Sequence, residues 1–174
     1  MKSFPCSTDM AAQIVPWFIG VVCLGTLILG VFECLQPNFN PVVLITFITP
    51  IILAIVVYFM YKQMPVAINV DKYALTIERK KSDPLQFNYS DIKSITHVPD
   101  GDMKMVIRTF GNGGVFGYTG SFYNKKYGSM KWYCTRRQNY ILLETTNKGK
   151  IVFTPDSAEE VMAELKKVAP SLVI

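Results

Sequence analysis

Histidine is nearly absent from this chain, and cysteine is scarce. Among 174 residues there is a single histidine, His97, and there are four cysteines. The cysteines form no CxxC pair, and the ligand spacing of a zinc site is missing. The sequence also suggests no Ser–His–Asp or Cys–His set. We therefore predict no metal, no cofactor and no catalytic residues, and we expect the cysteines to be reduced structural thiols in a cytoplasmic setting.

Charge is absent from two long stretches near the N-terminus. Residues 11–32 and 41–61 are predominantly apolar and contain no Asp, Glu, Lys or Arg. At about 1.5 Å rise per residue, a helix of either length crosses a hydrocarbon core of roughly 30 Å. Two buried helices of a soluble core would show a polar stripe, and neither run has one. We predict a two-helix transmembrane hairpin over residues 11–62, preceded by an N-terminal tail of residues 1–10.

Lysine and arginine are also missing between the two runs, in the short segment that we expect to form a tight turn. Five of them follow within about 20 residues of the second run, namely Lys62, Lys72, Arg79, Lys80 and Lys81. This asymmetry predicts a multi-pass membrane protein with both termini and the C-terminal domain in the cytoplasm. A cleaved signal peptide is the alternative for the first run, but its apolar length is too great and no small-residue cleavage site follows.

Residues 63–174 read as one soluble domain that is rich in strands. Short β-branched or aromatic runs alternate with turn residues such as Asn147, Lys148 and Gly149. The predicted strands are residues 66–70, 74–79, 85–89, 92–98, 104–109, 130–135, 140–145 and 150–154. Seven or so antiparallel strands at this spacing predict a small all-β barrel or sandwich.

One amphipathic helix should close the domain, over about residues 157–169. Asp156 with Glu159 three residues later predicts a capping box at its start. Five apolar side chains fall on one stripe of this helix, namely Val161, Met162, Leu165, Val168 and Ala169. We expect that stripe to bury against the strands and to cap the barrel.

A group of motifs in the C-terminal half resembles the bacterial pleckstrin-homology-like (PH) domains that are attached to membrane hairpins. The motifs are GGVFG at 113–117, Tyr118–Thr119–Gly120, Tyr123, Gly128, Tyr133 with Thr135–Arg136, and Phe153–Thr154–Pro155–Asp156. The resemblance covers roughly residues 65–170. It implies a PH-like fold of seven strands and one C-terminal helix, together with a location in the bacterial cytoplasmic (inner) membrane. It implies no catalytic residues, since such folds host lipid binding, peptide binding and self-assembly.

Acidic residues are missing from residues 103–143, although seven Lys and Arg side chains lie there, interleaved with aromatic ones. Anionic lipids attract such a stretch when it lies close to a cytoplasmic leaflet, and Tyr and Trp rings favour the same interface. The candidate ligand-binding residues of this basic, aromatic, Gly-rich loop are Tyr123, Lys125, Lys126, Tyr127, Lys131, Arg136 and Arg137. We expect the Lys125–Lys126 tip to contact either lipid or a partner protein.

Two explanations of this stretch remain open. The aromatic side chains can belong to the core of a barrel, and the glycines permit turns or bulges without forming a phosphate-binding loop. The predicted function is a membrane-anchored PH-like binding or assembly module that contacts anionic headgroups. The alternative is a protein-interaction or scaffolding domain without lipid specificity, whose partners are other membrane proteins or further copies of itself. Nucleic acid is not an expected partner.

Overall fold

Three α-helices and ten β-strands make up the part of the chain that the computed structural model describes, residues 1–36 and 41–174. The helices are α1 (Met10–Cys34), α2 (Leu44–Gln63) and α3 (Ala158–Val168). The strands are β1 (Lys2–Pro5), β2 (Pro65–Val70), β3 (Ala74–Arg79), β4 (Leu85–Asn88), β5 (Ile92–Val98), β6 (Val106–Gly113), β7 (Tyr118–Asn124), β8 (Gly128–Cys134), β9 (Tyr140–Thr145) and β10 (Lys150–Phe153). The turn predicted between α1 and α2 falls partly outside the described residues.

The pair of N-terminal helices is confirmed, and both are long and apolar enough to cross a membrane. Only 6% of the most apolar window of each helix is buried, which is unlike the core helix of a soluble protein. The helices approach closely at Gly30, which is buried and where a methyl group would overlap Thr46 Oγ1 and approach the ring of Phe47. Small residues allow this approach between membrane helices. The pair therefore fits a membrane hairpin.

The domain contains two sheets that share one core. The four-stranded sheet has the order β1-β2-β3-β4, and the six-stranded sheet has the order β5-β9-β10-β8-β7-β6. Side chains of both sheets pack with α3 in the main core. On β9, Ile141 and Leu143 belong to this core, whereas Tyr140 and Leu142 belong to a second cluster. Because alternate residues of a strand face opposite sides, the second cluster lies on the other face of the six-stranded sheet.

The strands differ from the sequence prediction in number and in direction. The structure adds β1 and β7 to the eight predicted strands, and β7 lies where we expected part of a long glycine-rich loop. The strands are also not all antiparallel, since β10 runs parallel to β8 with Val152 opposite Trp132. In the six-stranded sheet, β10 lies between β8 and β9. Strands β8 and β9 follow each other in the sequence but are therefore not neighbours in the sheet.

Residues 2–5, which we expected to lie in a tail, form β1 at the edge of the four-stranded sheet. This strand pairs antiparallel with β2, with Phe4 opposite Ile68. The Phe4 side chain is buried in the main core. The hairpin returns the chain to the domain, so residues on both sides of α1 and α2 can join one sheet. The domain is therefore built from two separate parts of the chain.

The C-terminal helix buries the predicted stripe, although it begins differently. Val161 and Leu165 are fully buried in the main core. The N-cap residue is Ser157, whose hydroxyl accepts from the Glu160 backbone N–H at 3.4 Å. The predicted Asp156–Glu159 capping box is wrong because the Asp156 carboxylate accepts hydrogen bonds from Ser7 and Arg136 instead.

Candidate functional site

A proline in α1 leaves a backbone carbonyl free for the domain. Pro16 lies inside the helix and has no N–H, so the carbonyl of Ala12, four residues earlier, lacks its usual partner. The backbone N–H of Phe116, in the β6–β7 turn, donates to this oxygen at 3.1 Å. Phe116 takes a left-handed conformation, with φ 59°, and its ring meets that of Tyr61 edge-on at 5.2 Å between centroids. The glycine-rich turn is thus attached to both helices.

The C-terminal end of α2 is joined to the domain in a similar way. The backbone N–H of Lys81 donates to the carbonyl of Lys62 at 3.2 Å, and that of Lys80 donates to Met64 at 2.9 Å. The last carbonyls of a helix have no partner within the helix. The two residues that follow β3 therefore satisfy one carbonyl in the last turn of α2 and one just after the helix.

Asp9 links the start of α1 to two strands of the six-stranded sheet. One of its carboxylate oxygens accepts from the Ala12 N–H at 2.8 Å and caps the helix. The other oxygen accepts from the Tyr118 hydroxyl at 3.1 Å. The backbone N–H of Asp9 donates to the carbonyl of Thr135, also at 3.1 Å. We call the region where the helix ends meet the domain the junction. The backbone N–H groups of Asp9, Phe116, Lys80 and Lys81 make four backbone hydrogen bonds there.

The structure separates the seven candidate residues into three groups. Lys125, Lys126 and Tyr127 form the turn between β7 and β8. Tyr123 and Lys131 lie exposed on those strands beside it. Arg136 and Arg137 lie beyond the other end of β8. The seven side chains therefore do not form a single binding surface.

The β7–β8 turn is tied to an acidic residue that lies just before the acid-free stretch. Lys126 Nζ lies 2.7 Å from Asp102 Oδ2, and the Tyr127 hydroxyl donates to the same oxygen at 2.8 Å. The hydrogen bond from Lys126 holds the pKa of Asp102 below its usual value. One of the two positive charges at the predicted tip is thus already paired within the domain.

The Arg136 side chain contacts the N-terminal segment. Its Nη2 lies 2.5 Å from Asp156 Oδ1, and its Nε donates to the carbonyl of Ser7 at 3.2 Å. Asp156 also accepts from the backbone N–H of Ser7 at 2.7 Å and from its hydroxyl at 2.6 Å. Only 16% of the Arg136 side chain is exposed. We therefore infer that Arg136 helps to hold residues 1–9 against the domain.

The Lys125–Lys126 tip is also distant from the junction. Tyr118, at the start of β7, is bonded to Asp9, whereas the tip follows the last residue of β7, Asn124. Six residues of strand at about 3.3 Å each separate the two ends by about 20 Å. A lipid headgroup beside the helix ends would therefore not reach the tip.

A different group of cations lies at the junction. Lys80 and Lys81 are exposed there beside the half-buried Lys62, and Lys80 Nζ lies 5.9 Å from the centre of the Tyr61 ring. Within the described residues, none of these lysines has an acidic partner within 4.0 Å. In the sequence, the three lysines indicate only the orientation of the hairpin. Lys62 directly follows an apolar run, which also favours a headgroup contact, whereas Lys80 and Lys81 reach the same place only through the fold.

The comparison with family models decides the family. The model of the bacterial PH domain matches residues 66–169, which is more than half of the chain. The chain belongs to the bacterial PH domain family. The match starts in β2 and ends just after α3, so β1, α1 and α2 lie outside it. No curated protein and no solved structure matches this PH domain protein.

Family membership confirms the predicted fold class and defines the broad function. PH domains are typically binding modules without catalytic activity. A PH domain behind two helices that can span a membrane supports a membrane-associated binding module. In the part of the chain that the structure describes, no three His, Cys, Asp or Glu side chains come together as metal ligands.

Proposed function

We propose that this protein is a membrane-anchored binding module of the bacterial cytoplasmic membrane, with both termini and the PH domain on the cytoplasmic side. In this proposal the domain is held in one orientation against the bilayer and contacts anionic headgroups at the junction. The observation that carries the proposal is the set of four backbone hydrogen bonds between the domain and the two helix ends. A domain on a loose tether would need none of them.

Charge at the junction supports the lipid contact. Lys62, Lys80 and Lys81 lie where α2 would leave the bilayer, and each basic side chain near an anionic surface contributes about 1 kcal/mol of attraction. Tyr61 adds an amphipathic ring of the kind that favours the membrane interface. The Lys125–Lys126 tip is left to face the cytoplasm or a partner protein, since it lies at the far end of β7.

In intact cells, a membrane-impermeant maleimide is expected to label Cys34 and no other cysteine. Cys34 is exposed at the end of α1 that is remote from the domain. Cys6 and Cys134 are buried, and burial raises the pKa of the Cys6 thiol to about 12 and that of Cys134 well above its usual value. Both thiols therefore stay protonated and unreactive near neutral pH. The measurement is the mass shift of the purified protein.

Cys34→Ser is the control for this orientation experiment, and it should abolish labelling. A reporter fused after Ile174 should be active only in the cytoplasm. Labelling of Cys34 only after the membrane is permeabilised would overturn the proposed orientation.

Lys80→Gln combined with Lys81→Gln is expected to remove most of the preference of the full-length protein for phosphatidylglycerol over phosphatidylcholine. Two charges at about 1 kcal/mol each correspond to about 2 kcal/mol, or nearly 30-fold in the lipid ratio at low salt. The protein is reconstituted into vesicles with equal amounts of both lipids and extracted in mild detergent. Mass spectrometry then gives the ratio of the retained lipids.

The matched control removes the same charge from the tip, with Lys125→Gln and Lys126→Gln. This variant should keep the lipid preference, and added salt should weaken the preference of the parent protein. Equal losses in both variants would mean that only net charge matters, and a larger loss in the tip variant would contradict the junction as the contact. Absence of any preference in the parent would favour the second candidate function.

That second candidate is a protein-interaction module without lipid specificity. It is supported by β6, which forms one edge of the six-stranded sheet and exposes the apolar side chains of Ile107 and Phe110. An open edge strand offers unpaired backbone groups to a strand of another chain.

A further inference from the structure

A cavity of about 270 Å³ lies on the face of the six-stranded sheet that is turned away from the main core. The rings of Phe122, Trp132 and Tyr140 line it from three different strands. Phe122 and Trp132 are stacked at 4.4 Å between centroids, and Tyr140 lies 5.4 Å from Trp132. The cavity is just below the size range of small-molecule sites, roughly 300–1,000 Å³. It can hold one small molecule with a flat or apolar body.

A buried hydrogen-bond donor lies in the wall of this cavity. Trp132 is only 3% exposed, and its indole Nε1–H has no hydrogen-bond partner among the described residues. Buried donors in native proteins are nearly always paired, because an unpaired one has lost its water without compensation. This N–H is therefore a donor that a ligand of the cavity can be tested for pairing with.

Positive charge surrounds the same cavity. Lys104 and Arg137 line it together with Asp100. One oxygen of the Asp100 carboxylate accepts from the backbone N–H of Asn139 at 3.0 Å, so this acid holds the chain after β8. Neither Lys104 nor Arg137 lies within 4.0 Å of an acidic group in the described part of the chain. Two cations without an acidic partner and one acid thus line the cavity, and the Arg137 guanidinium also lies 4.7 Å from the centre of the Tyr118 ring.

We propose that this cavity binds a small organic anion, with its apolar or aromatic body against the three rings and its carboxylate or phosphate near Lys104 and Arg137. An oxygen of the ligand accepts from Trp132 Nε1–H. Burial raises the pKa of the Tyr140 hydroxyl, so this group stays protonated and neutral. A neutral hydroxyl does not repel an anion. The site contains none of the junction lysines, although Arg137 lies against the ring of Tyr118, whose hydroxyl donates to Asp9.

Benzoate is the first probe, and Trp132 itself is the reporter. Trp17 is the only other tryptophan, and it is exposed on α1, so full-length Trp17→Phe protein in detergent leaves Trp132 as the single source of tryptophan emission. We expect a saturable change in emission with benzoate and about tenfold weaker binding of benzylamine, which has a similar ring and the opposite charge, because charge-assisted hydrogen bonds are the stronger ones. Acetate, which lacks the ring, should also bind more weakly. Phenyl phosphate tests whether phosphate replaces carboxylate.

Arg137→Gln should weaken benzoate binding about tenfold or more, since it removes a charged donor. Lys125→Gln removes the same charge outside the cavity and should change the affinity little. In ¹⁵N-tryptophan-labelled protein, benzoate should move the Nε1–H resonance of Trp132 downfield and leave that of Trp17 in place. Equal affinity for benzoate and benzylamine would overturn the proposal. An unmoved Trp132 Nε1–H resonance at saturating benzoate, or an unchanged affinity in Arg137→Gln, would overturn it as well.

Discussion

Phe4→Ala is expected to lower the free energy of unfolding of the PH domain by about 3–5 kcal/mol, although Phe4 lies before the hairpin and outside the family match. The ring is 4% exposed and belongs to the main core with Ile68 of the neighbouring strand. Its removal loses the burial of an aromatic side chain and leaves a cavity between β1 and the remaining core. This loss is comparable to a large part of the total stability of a small domain.

Labelling of the Cys134 thiol can measure this loss of stability in the full-length protein. Cys134 is fully buried in the second cluster, so its thiol becomes reactive only when the domain opens. Labelling as a function of urea concentration gives an unfolding midpoint for the domain while the helices stay in the detergent micelle. Ser3→Ala is the matched control, because Ser3 is exposed on the same strand. Equal midpoints for Phe4→Ala and Ser3→Ala would show that β1 does not contribute to the core.

The place of β1 in the sheet and of Phe4 in the core limits which segment of the chain can fold alone. A fragment that begins at residue 63 would lack β1, the buried Phe4 and the contacts of Ser7 with Asp156. Its four-stranded sheet would end at β2, with an open edge and an exposed part of the core. Binding experiments therefore require the full chain or a domain that retains residues 1–9.

The helices could be predicted from the sequence because their signals are local. An uncharged run of 21 or 22 residues and an apolar stripe at helical spacing each lie within one continuous segment. The strand β1 lacks such a signal, since its four residues contain one large apolar side chain, Phe4. Its partner β2 lies beyond the whole hairpin, so only the tertiary structure brings the two strands together.

The site could be predicted only in part, for a related reason. The absence of acids from residues 103–143 can be read from the sequence, but which charges form pairs depends on the folded structure. Lys126 pairs with Asp102, which lies one residue before that stretch, and Arg136 pairs with Asp156, 20 residues later. The lysines of the junction were visible in the sequence, but their closeness to each other depends on the contact between β3 and α2.

Glycines in the β6–β7 hairpin explain why the sequence does not predict strand β7. Gly111 and Gly120 lie opposite each other in the register of β6 and β7, with φ of 112° and 131°. A methyl group at either position would overlap the backbone of the other strand. Glycine usually indicates a turn, but here it permits two strands to approach closely. The glycines therefore predict a loop at a place where the structure has strand β7.

Leu165→Ala is expected to lower the free energy of unfolding by about 2–5 kcal/mol, because Leu165 is fully buried where α3 meets the main core. The neighbouring Lys166 is exposed and has no acidic partner within 4.0 Å in the described chain, so Lys166→Ala should change stability little. Alanine is favourable within a helix, so the difference between the two variants reports burial and not helix propensity. Cys134 labelling in urea again gives the midpoints. If both variants unfolded at the same urea concentration, α3 would not dock on the sheets through this stripe, and the closure of the core by the C-terminal helix would be refuted.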